Sequence, residues 1–261
     1  MKIGFIGTGN MGGALARAAA KNPANCVILS NRSREKAEKL ADELGAVASD
    51  NFIVANTADY IFLGVKPQMI EKLFDGIRAA LMGRKDRFVL VSMAAGTSIA
   101  RLQELSGGSF PVIRILPNTP ASVGEGMVLY TRSPEVSDNE LKGFLSAMSG
   151  AGRFSEIDEE LMDAGSAISG CGPAFADMFM EALADGGVAC GLPRANALEY
   201  AAQMLLGTAK LYLESGKHPG ELKDGVCSPG GSTIQGVRVL EECGFRGAVM
   251  DAVIAAYEKE F

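Results

Sequence analysis

The chain has 261 residues, 48% of them apolar, so it can bury a core, and two compact units fit its length. Its 25 Lys and Arg are outnumbered by 31 Asp and Glu, and a net charge of −6 argues against nucleic-acid or anionic-membrane binding, which need a basic face. The five cysteines (Cys26, Cys171, Cys190, Cys227 and Cys243) are odd in number, scattered and without a C-x-x-C pair, as expected of reduced thiols in a cytoplasmic protein. Met1 and Lys2 run directly into a strand-like segment, so no signal peptide is expected, and no apolar run reaches the ~18 residues of a membrane helix. His218 is the sole histidine, and no metal is indicated.

Taken in chain order, the first half alternates. KIGFI (2–6) reads as a strand, followed by a glycine turn and the helix formers ALARAAAK. CVILSN (26–31) is a second strand. SREKAEKLADELG is a helix with Ser33 as N-cap and Gly45 as its stop. AVAS (46–49) is a short third strand. YIFLGV (60–65) and FVLVSM (88–93) are continuous apolar runs, as expected of strands covered on both faces, with the helix QMIEKLFDGIRAALM between them. PVIRIL (111–116) is another strand, and GMVLY (126–130) and GRFSEI (152–157) extend the sheet at its edge. Ser137 and Glu140 have capping-box spacing for a helix between those two. Alternating strands and helices imply parallel pairing by right-handed crossovers, hence an α/β doubly wound, mainly parallel sheet of the Rossmann type over residues 1–157.

The character changes at Asp158. Residues 158–261 read as all-helical and are rich in small apolar side chains. After Pro193, the residues Leu198, Ala201, Ala202, Leu205, Ala209 and Tyr212 fall on one helical stripe. A final helix is expected through AVMDAVIAAYEKE. Such helices suit close packing against other helices, from the same chain or from a second subunit.

Three features carry chemistry. Gly7-Thr8-Gly9-Asn10-Met11-Gly12 matches G-x-G-x-x-G between the first strand and the first helix, the context of a dinucleotide-binding loop. A free 2′-hydroxyl would call for Asp or Glu at the end of the second strand, but Asn31 stands 19 residues past Gly12, in Ser30-Asn31-Arg32-Ser33-Arg34. Two guanidinium groups and two hydroxyls suit a 2′-phosphate, so NADP(H) is expected in preference to NAD(H); the alternative is that Arg32 and Arg34 are a solvated helix start. Val65-Lys66-Pro67 is expected to end the fourth strand and Ala94-Ala95-Gly96 the fifth, both at the sheet edge where ligands of such folds bind. Lys66 is then a proton donor, a hydrogen-bonding partner of ribose, or a solvated lysine. Pro117-Asn118-Thr119-Pro120 is a stiff turn, with a structural and a functional role both open for Asn118. Late in the chain, Val226-Cys227-Ser228-Pro229-Gly230-Gly231-Ser232-Thr233 leads into a helix starting near Ser232 or Thr233. Its N–H groups and helix dipole suit a second anion cradle, for a carboxylate; the alternative is a plain capped helix start. No Ser-His-Asp set, carboxylate pair or activated cysteine is evident. The chemistry is therefore of the kind a cofactor performs, with the protein holding and orienting, and hydride transfer to a small carboxylate-bearing acceptor fits.

FIGTGNMG, FLGVKP (62–67), RILPNTPASVGEG (114–126), SGCGPAF (169–175) and above all HPGELKDGVCSPGGSTIQG (218–236) resemble pyrroline-5-carboxylate reductase over essentially the whole length. The resemblance implies a Rossmann domain followed by a helical dimerisation domain. The homodimer would have interleaved helices and join into larger rings in some members. It implies reduction of L-1-pyrroline-5-carboxylate to L-proline by NAD(P)H. By position, Gly7 to Gly12 with Asn31 and Arg32 would hold adenosine and phosphates, and Asn51, Val65, Lys66, Pro67, Ala94 and Ala95 would line the ribose and nicotinamide side. Val226, Gly230, Gly231, Ser232 and Thr233 would hold the substrate, Thr233 as the catalytic hydroxyl, in a loop that reaches the nicotinamide of the partner subunit. Cys171 replaces a common serine, and Gly216 stands where some relatives carry a glutamate. Two other readings are a 3-hydroxyacid dehydrogenase and a silent NADP-binding sensor. The first needs a catalytic lysine, and Lys210, Lys217, Lys223 and Lys259 have no such setting. The second needs no second cradle.

Overall fold

The computed structural model describes residues 1–259, which form two compact units, Met1–Gly170 and Cys171–Lys259. In the first unit, strands β1 (Lys2–Ile6), β2 (Cys26–Ser30), β3 (Val47–Ala48), β4 (Tyr60–Leu63), β5 (Val89–Ser92), β6 (Val112–Leu116), β7 (Gly126–Arg132) and β8 (Gly152–Glu156) form one sheet in the order β3-β2-β1-β4-β5-β6-β7-β8. Strands β1 to β6 pair in parallel, β7 is antiparallel to β6, and β8 is parallel to β7. The reversal at β7 follows from chain length. Only residues 117–125 join β6 to β7, and a parallel crossover needs about a dozen or more.

Successive side chains on a strand face opposite ways, and this splits the core in two. Ile3, Phe5, Phe62, Val89, Val91, Ile113 and Ile115 point to one face. There they meet α1 (Asn10–Ala20), α2 (Arg34–Leu44) and α6 (Asp138–Ala147). Ile6, Ile61, Leu63, Leu90 and Val112 point to the other, under α3 (Asn51–Thr57), α4 (Ile70–Gly83) and α5 (Ile99–Ser106). On the first face Phe5 stacks on Phe62 at 4.4 Å, and Phe144 meets Phe154 edge-on at 5.6 Å. α7 (Met162–Ser169) closes this unit against β7.

The second unit holds α8 (Gly172–Ala189), α9 (Arg194–Ser215), α10 (Pro219–Val226), α11 (Ser232–Glu242) and α12 (Phe245–Lys259), with no strand among its described residues. α9 is present, but its expected stripe is only partly covered. Ala201 is buried beside Ala197, where α9 meets α8, whereas Leu198 and Tyr212 are exposed. Met178, Leu206, Leu213, Met250 and Ile254 are exposed as well, and Ala184, Ala197 and Ala201 are the fully buried hydrophobic residues described in these five helices. No described helix is long and apolar enough to cross a membrane.

Several local expectations correspond to what is observed. Gly45 ends α2 in the left-handed conformation with φ 63°. Ser137 and Glu140 form a reciprocal capping box at the start of α6. Two details differ. β4 stops at Leu63, and Val65, Lys66 and Pro67 lead instead into a 3-10 turn (Pro67–Met69), since proline suits a first helical position better than a strand. Ser33 is N-cap of α2 by backbone position, but its hydroxyl makes no capping bond.

The capping box carries a pH-dependent contribution. Glu140 accepts from Arg87 Nε at 2.6 Å and from Ser137 N at 2.8 Å, and its carboxyl is held down to about 2, chiefly by the Arg87 hydrogen bond. A depressed carboxylate stabilises the fold fully above its ordinary value of 4.5 and loses that contribution as pH falls toward 2. Glu140→Gln should therefore cost about 1–2 kcal/mol at pH 7 after screening by solvent, and the loss should shrink below pH 4. Denaturant unfolding at pH 7 and pH 3 checks this; an equal loss at both would contradict it.

Candidate active site

β2, β1, β4 and β5 are parallel neighbours, so the turns that follow them gather at one edge of the sheet. Gly7 follows β1 with φ 99°, its N–H bonded to Ser30 O at 2.8 Å. A Cβ on Gly12 would lie 2.1 Å from the Gly7 carbonyl oxygen, and one on Gly64, after β4, would lie 2.3 Å from it. Three backbones thus cross where no side chain fits. Gly9 differs: a Cβ there would meet nothing within 4 Å. Its openness faces space a ligand can fill.

Gly9 is the N-cap of α1 and offers no side-chain cap, so the first N–H groups of Asn10, Met11 and Gly12 have no helical acceptor. The Thr8 Oγ1 atom is buried without a hydrogen-bond partner among the described residues. Free N–H donors, a helix dipole and an unpaired hydroxyl at one turn suit a pyrophosphate. Asn31, at the end of β2, leans back toward this loop, with Thr8 N lying 3.4 Å from its Oδ1. Ser30 Oγ donates to Asn51 Oδ1 at 2.5 Å and so fixes the first residue of α3 beside the same edge. That link spans 21 residues, and no local pattern marks it.

Arg32 and Arg34 are both exposed. Arg34 pairs with Glu38 at 2.8 Å, whereas Arg32 has no ion-pair partner among the described residues. Of the two, Arg32 is the guanidinium free to meet a phosphate. Lys66 and Pro67 are exposed, and Val65 is half-buried against Gly7. After β5, Ala94 is buried, its N–H 3.3 Å from Ser92 Oγ, and Ala95 is exposed at the tip of the turn. Asn118 is structural by its bonds: its Nδ2 donates to Ser169 O at 2.9 Å, and its Oδ1 accepts from Met127 N at 3.0 Å. It ties β7 and the end of α7 to the β6 turn.

The second cradle lies in the other unit. Val226 ends α10 and is exposed. Gly230 has φ 69°, a conformation that favours glycine, and Gly231 N bonds Ser228 O at 3.0 Å to close a turn. Gly231 is N-cap of α11 without a side-chain cap, leaving the first-turn N–H groups of Ser232 and Thr233 free of helical acceptors. Ser232 and Thr233 are exposed. His218, the sole histidine, caps α10 by accepting from Gly220 N at 3.1 Å. No cluster of metal-ligating side chains occurs among the described residues.

The chain matches the family model described as pyrroline-5-carboxylate reductase dimerisation over residues 159–260, and NADP oxidoreductase coenzyme F420-dependent over residues 2–96. It is 42% identical to the pyrroline-5-carboxylate reductase of Escherichia coli, over 99% of this chain and 96% of the relative. It is similar to the crystal structure of a Plasmodium falciparum pyrroline carboxylate reductase with NADP bound, at 32% identity and a TM-score of 0.87, covering 100% of this chain and 97% of that one. The 1-pyrroline-5-carboxylate reductase of Streptococcus pyogenes matches with a TM-score of 0.87 at 31% identity, over 100% and 98%. A Mycobacterium tuberculosis 3-hydroxyisobutyrate dehydrogenase, at 14% identity and a TM-score of 0.52, shares the fold alone. Two glycine cradles, one after β1 at the head of α1 and one at the head of α11, thus occur in a chain whose likeness to these reductases runs end to end: it belongs to the pyrroline-5-carboxylate reductase family.

Proposed function

We infer that this chain catalyses the last step of proline biosynthesis, the NAD(P)H-dependent reduction of L-1-pyrroline-5-carboxylate to L-proline. Full-length similarity to the reductases carries this reading, and the absence of any acid, base or nucleophile constellation in the sequence agrees with it. A cyclic imine is already electrophilic, more so when protonated, so the protein need not supply a strong acid. NADPH, when bound, would supply the hydride to the imine carbon, C2 of the pyrroline ring, which becomes C5 of proline.

The remaining work is holding and orienting. The loop Gly7, Thr8, Gly9, Asn10, Met11 and Gly12 takes the pyrophosphate on its free N–H groups, and Asn31 and Arg32 take the adenosine 2′-phosphate. Asn51, Val65, Lys66, Pro67, Ala94 and Ala95 line the ribose and nicotinamide side. Gly230, Gly231, Ser232 and Thr233 hold the substrate carboxylate and ring nitrogen, with Val226 beside them. The Thr233 hydroxyl hydrogen-bonds the ring nitrogen, which takes its proton from solvent, directly or through that hydroxyl, as it becomes a secondary amine. The helical domain begins at residue 158, and the exposed apolar side chains of α8 to α12 are covered by a second copy of the chain. This homodimer interleaves its helices, associates further into a ring, brings the 226–233 loop to the partner's cofactor and works in the cytoplasm. NADP(H) is preferred over NAD(H) because Arg32 is exposed and no carboxylate stands at the end of β2.

Oxidation of NADPH followed at 340 nm with pyrroline-5-carboxylate, with NADH in parallel, tests the reaction. Proline should form faster with NADPH, and absence of turnover with either cofactor would refute the activity. Arg32→Ala should lower the NADPH/NADH efficiency ratio about 10-fold, one charge-assisted hydrogen bond, and an unchanged ratio would remove Arg32 from recognition. Thr233→Ala should cut kcat/KM about 10-fold or more, and unaltered kinetics would remove it from the mechanism. Gly9→Ala should leave the Tm within about 2 °C while raising the Kd for NADPH. Gly12→Ala should lower the Tm by more, since its Cβ meets the Gly7 carbonyl. The reverse order would contradict the assignment of the open glycine to the cofactor.

A further inference from the structure

Arg114 is a buried cation in the middle of β6, only 4% exposed, and β6 pairs it with Ser92 of β5. Its Nη1 lies 3.4 Å from Glu159 Oε1 and its Nη2 3.4 Å from Asp163 Oδ1. Glu159 Oε1 also accepts from Ile99 N at 2.8 Å. Ile99 opens α5, so its N–H has no helical acceptor, and a carboxylate there is favoured by the helix dipole. The chain from Met93 to Ser98 is therefore held at both ends. Ser92 Oγ accepts from Ala94 N at 3.3 Å at one end, and Glu159, 60 residues away in sequence, accepts at the other. Between them Gly96 turns the backbone with φ 67°.

We propose that Glu159, gripped by Arg114, is a positioning residue that sets the Ala94–Ala95 turn and through it the nicotinamide end of the cofactor. This rests on the reading above that the turn lines the nicotinamide. β6 is paired on both sides, with β5 and β7, so Arg114 holds Glu159 from the middle of the sheet, and Glu159 holds the start of α5. Asp163 shares the guanidinium but makes no hydrogen bond to α5 among the described residues, which makes it an internal control. A misplacement of the reacting atoms of about 1 Å can cost up to 100-fold in rate, so a slackened turn is read in kcat before it is read in folding.

The test uses the full-length protein with Glu159→Ala, Glu159→Gln and Asp163→Ala. For each, kcat, the primary deuterium isotope effect with deuterated NADPH, the Kd for 2′,5′-ADP and the Tm are measured. The expected result is a kcat about 10-fold lower and a larger isotope effect in Glu159→Ala. Affinity for 2′,5′-ADP, which occupies only the adenine half, should stay within about twofold. Glu159→Gln keeps an oxygen for Ile99 N and should recover most of the rate, and Asp163→Ala should stay within about twofold of the parent. Unchanged kcat in Glu159→Ala, an equal loss in Asp163→Ala, or a parallel loss of 2′,5′-ADP affinity would each overturn the proposal. Glu159→Asp keeps the charge but withdraws the oxygen from Ile99; it should be slow, and full activity there would overturn the proposal even if Glu159→Ala does not fold. Ala95→Leu separates the two levels. A slowed Ala95→Leu places the turn along the nicotinamide, whereas a silent one overturns that reading and the proposal with it.

Discussion

One close approach organises the first unit. The Gly7 carbonyl occupies the space where Cβ atoms of Gly12 and Gly64 would stand, at 2.1 and 2.3 Å. α1, the end of β1 and the end of β4 can meet only because all three residues are glycines. The crossing brings the uncapped N-terminus of α1 to the sheet edge and lets Gly9 face outward. The neighbouring strand ends then supply the groups that the proposed function assigns to the dinucleotide. β2 delivers Asn31 and Arg32, β4 delivers Val65 and Lys66, and β5 delivers Ala94 and Ala95, all because parallel neighbours end on the same side.

The parts of this arrangement that are local in sequence were legible from it. All eight strands lie within the runs read as strands or extend them by two residues at most, because continuous apolar segments bounded by glycine and proline leave few alternatives. The capping box of α6 and the left-handed stop of α2 follow from residue chemistry at single positions. α3 and α5 escaped that reading. α3 has seven residues and α5 eight, too short for a clear period, and what holds their first turns includes Asp50, Ser98 and the distant Glu159. The Ser30–Asn51 and Arg114–Glu159 contacts join residues that only the fold makes neighbours. Arg114 reads in sequence as one charge in an otherwise apolar strand; what it does there depends on two carboxylates 45 and 49 residues away.

The second unit poses the opposite problem. Its composition predicted helices, and helices are present, but its apolar stripes are largely uncovered. Leu206, Leu211 and Leu213 are each more than half exposed on α9. A chain does not spend such residues on water, since each buried leucine is worth about 2 kcal/mol. The match to a dimerisation family gives those stripes a physical purpose, and the proposed second copy supplies the cover. In that account the second cradle serves the partner's cofactor, and neither subunit holds a complete site. The dependence of catalysis on association is then a consequence of where the apolar surface lies, since the same helices that need a partner also present Gly230 to Thr233.

The most direct test is complementation between defective subunits. A Gly9→Val subunit lacks a usable cofactor loop, and a Thr233→Ala subunit lacks the substrate hydroxyl. Each alone should be weakly active. Unfolded together and refolded as a mixture, they should regain activity well above the mean of the two. One site of each mixed dimer would then join an intact loop to an intact cradle from the other chain. Activity no greater than that mean, with mixed dimers shown to form, would mean that both cradles of a site belong to one chain and would contradict the shared site.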